Sequence, residues 1–76
     1  MKGWLIRGVH LSDEYNCKKV FYLGVGGKVV HHNALDSGNV FGNKESCRRK
    51  MCEIRKVNRL ADADDLCDWS VVEVSY

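Results

Sequence analysis

Four cysteines, three histidines and an arginine-rich run are the side chains in this chain with chemistry to offer, and their spacing decides which chemistry that is. Cys17, Cys47, Cys52 and Cys67 contain no Cys-x-x-Cys pair, and Cys47 and Cys52 stand five apart. On a helix that spacing separates them by about 140° instead of stacking them for a shared zinc. His31 and His32 are adjacent. In a strand they point to opposite faces and cannot ligate one ion together, so one half-buried and one solvated ring are expected. No metal site is expected from either set. Cys52 is a nucleophile with cationic neighbours, but nothing in the sequence supplies the histidine base that would make it catalytic. Asp62, Asp64, Asp65 and Asp68 fall within a few residues of one another. They lack the glycine and distal glutamate of a calcium loop and read as a solvated polar segment. The glycines of GVGGK precede a strand, whereas a phosphate-cradling loop must open a helix. Neither an enzyme nor a cofactor is expected.

The remaining candidates are cations. Residues 44–60 hold seven basic and two acidic side chains, while 61–68 hold four acidic and no basic ones, so a formal net charge of only +2 hides a strong local separation. At about 100° per residue, Arg48, Arg55 and Arg59 fall on one line of a helix, with Arg49 and Lys56 beside them and Cys52 in the middle. Such a ridge is the footprint of a partner that carries carboxylates or phosphates, because the forked guanidinium donors suit either. It is equally the composition of a solvated helix face whose later cations complement the helix dipole. Arg48, Arg49, Arg55, Lys56 and Arg59 are therefore the candidate partner-binding residues, with Trp4 or Tyr76 as aromatic anchors if exposed.

The elements that must position the ridge follow from periodicity. Gly3 to Leu11 alternates loosely and predicts a first strand, with Leu5, Val9 and Leu11 on one face and Arg7 interrupting it. Ser12 to Asn16 is turn chemistry, and Cys17 to Leu23 restores β-branched and aromatic residues. A hairpin turn centred on Gly26 and Gly27 leads to a strand over Lys28 to His32. Asn33 to Asn39 is a loop, and Val40 and Phe41 make a short apolar contact. Asn43 is a suitable N-cap, Glu45 favours the first turn, and the next seventeen residues contain no glycine or proline. The stripe Cys47, Met51, Ile54, Asn58 and Ala61, flanked by Val57, is the face to be laid on a sheet. Ala61 to Asp68 ends the helix as a polar loop. Trp69 to Tyr76 predicts a last strand, apolar on both faces and so well covered, even central. The order β-β-β-α-β makes a single α+β domain over residues 1–76: a small, mostly antiparallel sheet with one amphipathic helix packed on one face.

Seventy-six residues with 45% hydrophobic and 29% charged side chains and no proline have the composition of one folded domain. A domain this small buries only about 60% of its unfolded surface, which leaves little room for a deep substrate cavity. Arg7 and His10 interrupt the apolar start before it reaches the length of a signal core or a membrane span. A cytoplasmic protein with reduced thiols and no membrane association is expected.

The C-terminal half, from Asn39 to Val74, resembles a pattern found in small proteins of bacteriophages and mobile elements. There a short strand ending in Phe enters an Asn/Ser-Lys-Glu helix start, and a Trp-x-Val-x-Glu-Val strand closes the chain. The matching positions are Phe41, Asn43, Lys44, Glu45, Trp69, Val71, Glu73 and Val74, with Cys47 where the pattern has a small residue. The resemblance implies a stoichiometric inhibitor in the host cytoplasm, of the anti-CRISPR kind. It would occupy a surface of a host defence nuclease complex or its nucleic-acid-loading groove. The alternative is a small nucleic-acid-binding protein that places the same ridge on phosphates.

Overall fold

A computed structural model describes residues 1–12, 17–61 and 67–76, with backbone alone at 11, 12, 17 and 18. The expected turn at 13–16 and most of the aspartate segment, 62–66, lie outside the described residues.

Branched and aromatic runs form β1 (Lys2–Ser12), β2 (Cys17–Leu23), β3 (Val29–Val30) and β4 (Cys67–Ser75), with one helix, α1 (Lys44–Leu60), between β3 and β4. The strands make a single antiparallel sheet in the order β3-β2-β1-β4. This is the expected α+β arrangement. Strand β1 lies inside the sheet: Ile6 stands opposite Leu23 of β2 and Val71 of β4, and Gly8 stands opposite Phe21 and Trp69. The last strand is therefore an edge strand and not a central one. Its mixed apolar pattern arises because one face meets α1 while the other shares the apolar surface of β1. The third strand has only two residues, because the preceding turn tightens into one 3-10 turn at Val25–Gly27. Gly26 and Gly27 take φ of 79° and 74° there, the left-handed region that suits a residue without Cβ.

The core lies between α1 and the sheet face carrying Trp4, Ile6, Phe21, Leu23, Trp69 and Val71. Ile6 and Cys47 are fully enclosed, and Met51 and Ile54 pack around them. Gly8 leaves the space that the aromatic pair occupies. Phe21 and Trp69 meet edge to face across it at 5.6 Å, and a Cβ on Gly8 would clash with the Phe21 ring. Leu5 and Val9, the apolar face expected of β1, point the other way, away from the helix. There Leu5 is fully buried and Val40 lies against Gly3. Phe41 takes the place of a β2 residue beside Trp4, exchanging two backbone hydrogen bonds of 2.9 Å with it.

The loop ahead of Phe41 is held by reciprocal side-chain caps. Asp36 Oδ1 accepts from Gly38 N and Asn39 N, and Asn39 Oδ1 accepts from Asp36 N. At the sheet's far end Met1 and Tyr76 exchange N–H···O bonds of 2.8 and 2.9 Å.

Candidate functional site

Helix α1 begins where its chemistry requires. Asn43 Oδ1 accepts from Ser46 N at 2.8 Å, satisfying one of the orphan N–H groups, and Glu45 stands in the first turn. Cys47 is buried, and Met51, Ile54 and Asn58 are half-buried, so most of the expected stripe does face the sheet. One member, Ala61, and the flanking Val57 do not. Ala61 is the exposed C-cap residue and Val57 is 66% exposed, because the C-terminal turns of α1 extend past the sheet's apolar face.

The five candidate cations divide by environment. Arg48, Arg49, Lys56 and Arg59 are exposed, whereas Arg55 is half-buried beside the packing face. Arg49 pairs with Glu45 at 3.6 Å, one turn back, and Lys50 pairs with Glu53 at 3.3 Å. Arg55 and Arg59 are each engaged within the fold. The ridge is one continuous cationic surface, with Arg49 and Lys56 directed away from the packing face and Arg48 on its flank. Both helix carboxylates are occupied by neighbouring cations, so the net +5 of residues 44–60 is not cancelled within the helix.

Neither aromatic anchor is exposed. Trp4 is half-buried against the core, with the Lys44 ammonium 5.5 Å from its ring centroid, and Tyr76 is half-buried at the sheet end. The cysteines are also separated by environment. Burial pushes the Cys47 thiol up from 9.0 to about 11, so it stays protonated and inert at neutral pH. Cys52 is exposed on the outer side of α1, Cys67 is half-buried in β4, and the Cys17 side chain lies outside the described residues. Among the described residues no group of three or more His, Cys, Asp or Glu could hold a metal ion. Asp68, expected in a loop, is a β4 residue opposite Val9. His32 is exposed and its ring lies 5.9 Å from that of Tyr22.

Between Lys50, Glu53, Ile54, Val57 and Asn58 lies an open depression of ≈ 240 Å³. The Lys50–Glu53 ion pair lies at its rim, with the Glu53 side chain largely exposed.

The feature that sequence reasoning missed is the outer edge of β4. The Met1–Tyr76 pair exchanges both its hydrogen bonds, which sets the alternation along the ladder from Lys2–Ser75 to His10–Cys67. Val74, Val72, Ser70 and Asp68 therefore turn their backbone groups toward β1, and Trp69, Val71, Glu73 and Ser75 turn theirs outward. Alternation alone cannot show which strand ends a sheet. No helix among the described residues is long and apolar enough to cross a membrane. Comparisons with protein families, curated proteins and solved structures find no match to this chain.

Proposed function

We propose that this chain is a small non-enzymatic binding protein that acts stoichiometrically, covering an acidic surface of a protein partner with the outer face of α1. The observation that carries this reading is the cationic surface of Arg48, Arg49, Arg55, Lys56 and Arg59, in a helix whose only two carboxylates are already paired. Arginine forks held on a rigid helix match carboxylates in both geometry and charge. A standard interface covers about 800 Å² per partner, which one side of a domain this size supplies without any cavity. The function that fits best is inhibition of a host defence nuclease complex in the host cytoplasm. Its support is the resemblance of the Asn39–Val74 segment to small phage and mobile-element proteins.

The test is capture from host lysate with the tagged chain, with and without nuclease treatment, beside the double variant Arg48→Glu/Lys56→Glu. Both positions are exposed, so the variant should melt within a few degrees of the parent. A protein partner that survives nuclease and is lost with the variant is the expected result. Loss of all partners on nuclease treatment would reassign the ridge to phosphates. In that case affinity should fall with log salt at a slope of about 0.9 per duplex phosphate neutralised. A partner retained by the double variant would make α1 a solvated face.

A further inference from the structure

We propose that the free edge of β4 is a docking edge for an extended acidic polypeptide segment, which adds as a fifth strand beneath the basic flank of α1. The inference rests on reading α1 as a protein-binding surface, and it names how the partner is held. Three observations lead to it.

The first is the edge itself. β4 runs nine residues without a bulge, in unbroken register with β1, and ends the sheet. The N–H and C=O groups of Trp69, Val71, Glu73 and Ser75 point away from β1 and have no backbone partner among the described residues. Edge strands are normally blunted by charged side chains, lysine above all, or by proline, a bulge or shortness; β4 has no lysine, proline or bulge, is nine residues long, and its charges are the acidic Asp68 and Glu73. The opposite edge, β3, is blunted by its two-residue length.

The second is what overhangs the edge. A Cβ on Gly27, in the turn between β2 and β3, would stand 3.4 Å from Lys50 Cε and 3.6 Å from Ile54 Cδ1. That side of α1 therefore faces β2 and β3. At about 100° per residue, the flank opposite Lys50 is that of Arg48, Arg55 and Arg59, and it faces outward over β4. A right-handed crossover from the Phe41 segment through α1 to the parallel β4 gives the same placement. β4 itself carries two acidic residues: Glu73, whose charge is met by Lys2 at 3.7 Å, and Asp68, on the face away from α1. An added strand thus finds backbone partners along the edge and, on its helix-facing side, the exposed Arg48 guanidinium within a net basic flank. Acidic side chains there gain charge-assisted hydrogen bonds.

The third observation excludes the simplest other occupant. Pairing two copies antiparallel through β4 would bring their α1 axes to about 10 Å, since α1 lies over β1 and β4 and strands are spaced about 4.8 Å apart. The Arg48 flanks would then face each other. Like charges at contact distance act against a second copy and for an acidic segment.

The test is a titration of isotope-labelled protein with a capped peptide of alternating Glu and Val, as long as β4, and with its Lys–Val counterpart. Amide exchange at Trp69, Val71 and Glu73 is expected to slow by about tenfold or more with the Glu–Val peptide, and not with the Lys–Val peptide. Val71→Pro removes an outward N–H without touching the β1 ladder, so it should fold and lose this protection, because proline is tolerated on a strand's free edge. Should Val71→Pro melt early, methylation of alternate peptide nitrogens makes the same cut from the ligand side. Arg48→Glu should weaken the Glu–Val peptide by about tenfold.

Unchanged exchange with the Glu–Val peptide overturns the proposal, and so does equal protection by the Lys–Val peptide. Protection that persists in Val71→Pro, or a dimer formed through these same amides, would do the same. A lysate partner kept by Val71→Pro but lost by Arg48→Glu/Lys56→Glu would sink the docking edge while leaving the function of α1 standing.

Discussion

Cys47 shows how one side chain links packing to pH. It sits at the point where α1 meets Ile6, Leu23 and Phe41 and has no exposed surface. A thiolate there would give up hydration with nothing in exchange, and its ionisation moves from 9.0 to about 11. The folded thiol keeps its proton where the unfolded one begins to lose it. Its contribution to stability is therefore complete below pH 9 and is lost as pH rises from 9 to about 11. The amount at stake is on the order of 2 kcal/mol. Urea melts at pH 8 and pH 11 should show the parent losing about that much more than Cys47→Ala, which has no thiol to titrate. Equal pH dependence in the two proteins would mean that Cys47 ionises as freely folded as unfolded. Alkylation at pH 8 is expected to label Cys52 in the native protein and Cys47 only after unfolding.

At the scale of elements, α1 depends on its start as much as on its stripe. Seventeen residues are close to the shortest length at which an isolated helix is marginal in water, so packing and capping supply its stability. Asn43→Ala leaves Ser46 N without its 2.8 Å acceptor and should cost about 1 kcal/mol, read as a fall of about 4–8 °C in Tm. Asn43→Asp should restore most of it, since a carboxylate accepts the same bond and suits the positive end of the dipole. If Asn43→Ala melts with the parent, the N–H groups of the first turn are satisfied by water alone.

The whole molecule is a slab of 38 × 25 × 15 Å. One helix covers one face of the sheet, and the other face is open at Val20, which is 47% exposed. This thin body presents a cationic helix on one side and, along one border, a strand whose outward backbone groups have no backbone partner among the described residues. On the docking-edge proposal the Arg48 flank overhangs that border, and like charge there is expected to oppose pairing of two copies. Sedimentation at low ionic strength is expected to give a monomer across the accessible concentration range. Raising the salt, which screens the arginines to a Debye length of about 3 Å at 1 M, should promote weak self-association if any occurs. A stable dimer at low salt would contradict the repulsion assigned to the α1 flanks.

The elements were legible in the sequence because each is encoded by neighbours. The period of the apolar residues, Asn43 ahead of an uninterrupted run, and Gly26-Gly27 between two β-branched segments each act over a few residues, and the helix, its cap, the glycine turn and the strands formed there, the third strand cut to Val29–Val30. The cations that face solvent on α1 were legible for the same reason, since a helix's outer face follows from its phase. Tertiary structure alone decided the rest. Alternation cannot say whether Leu5 or Ile6 meets the helix, because both faces of β1 are apolar. It is Gly8, leaving room for Phe21 and Trp69, that sets which face is which. Nor does composition distinguish an edge strand from a central one: β4 is apolar on both faces, yet it lies at the border. Strand order is fixed by where α1 returns the chain, and only that return puts β4 at the sheet's border.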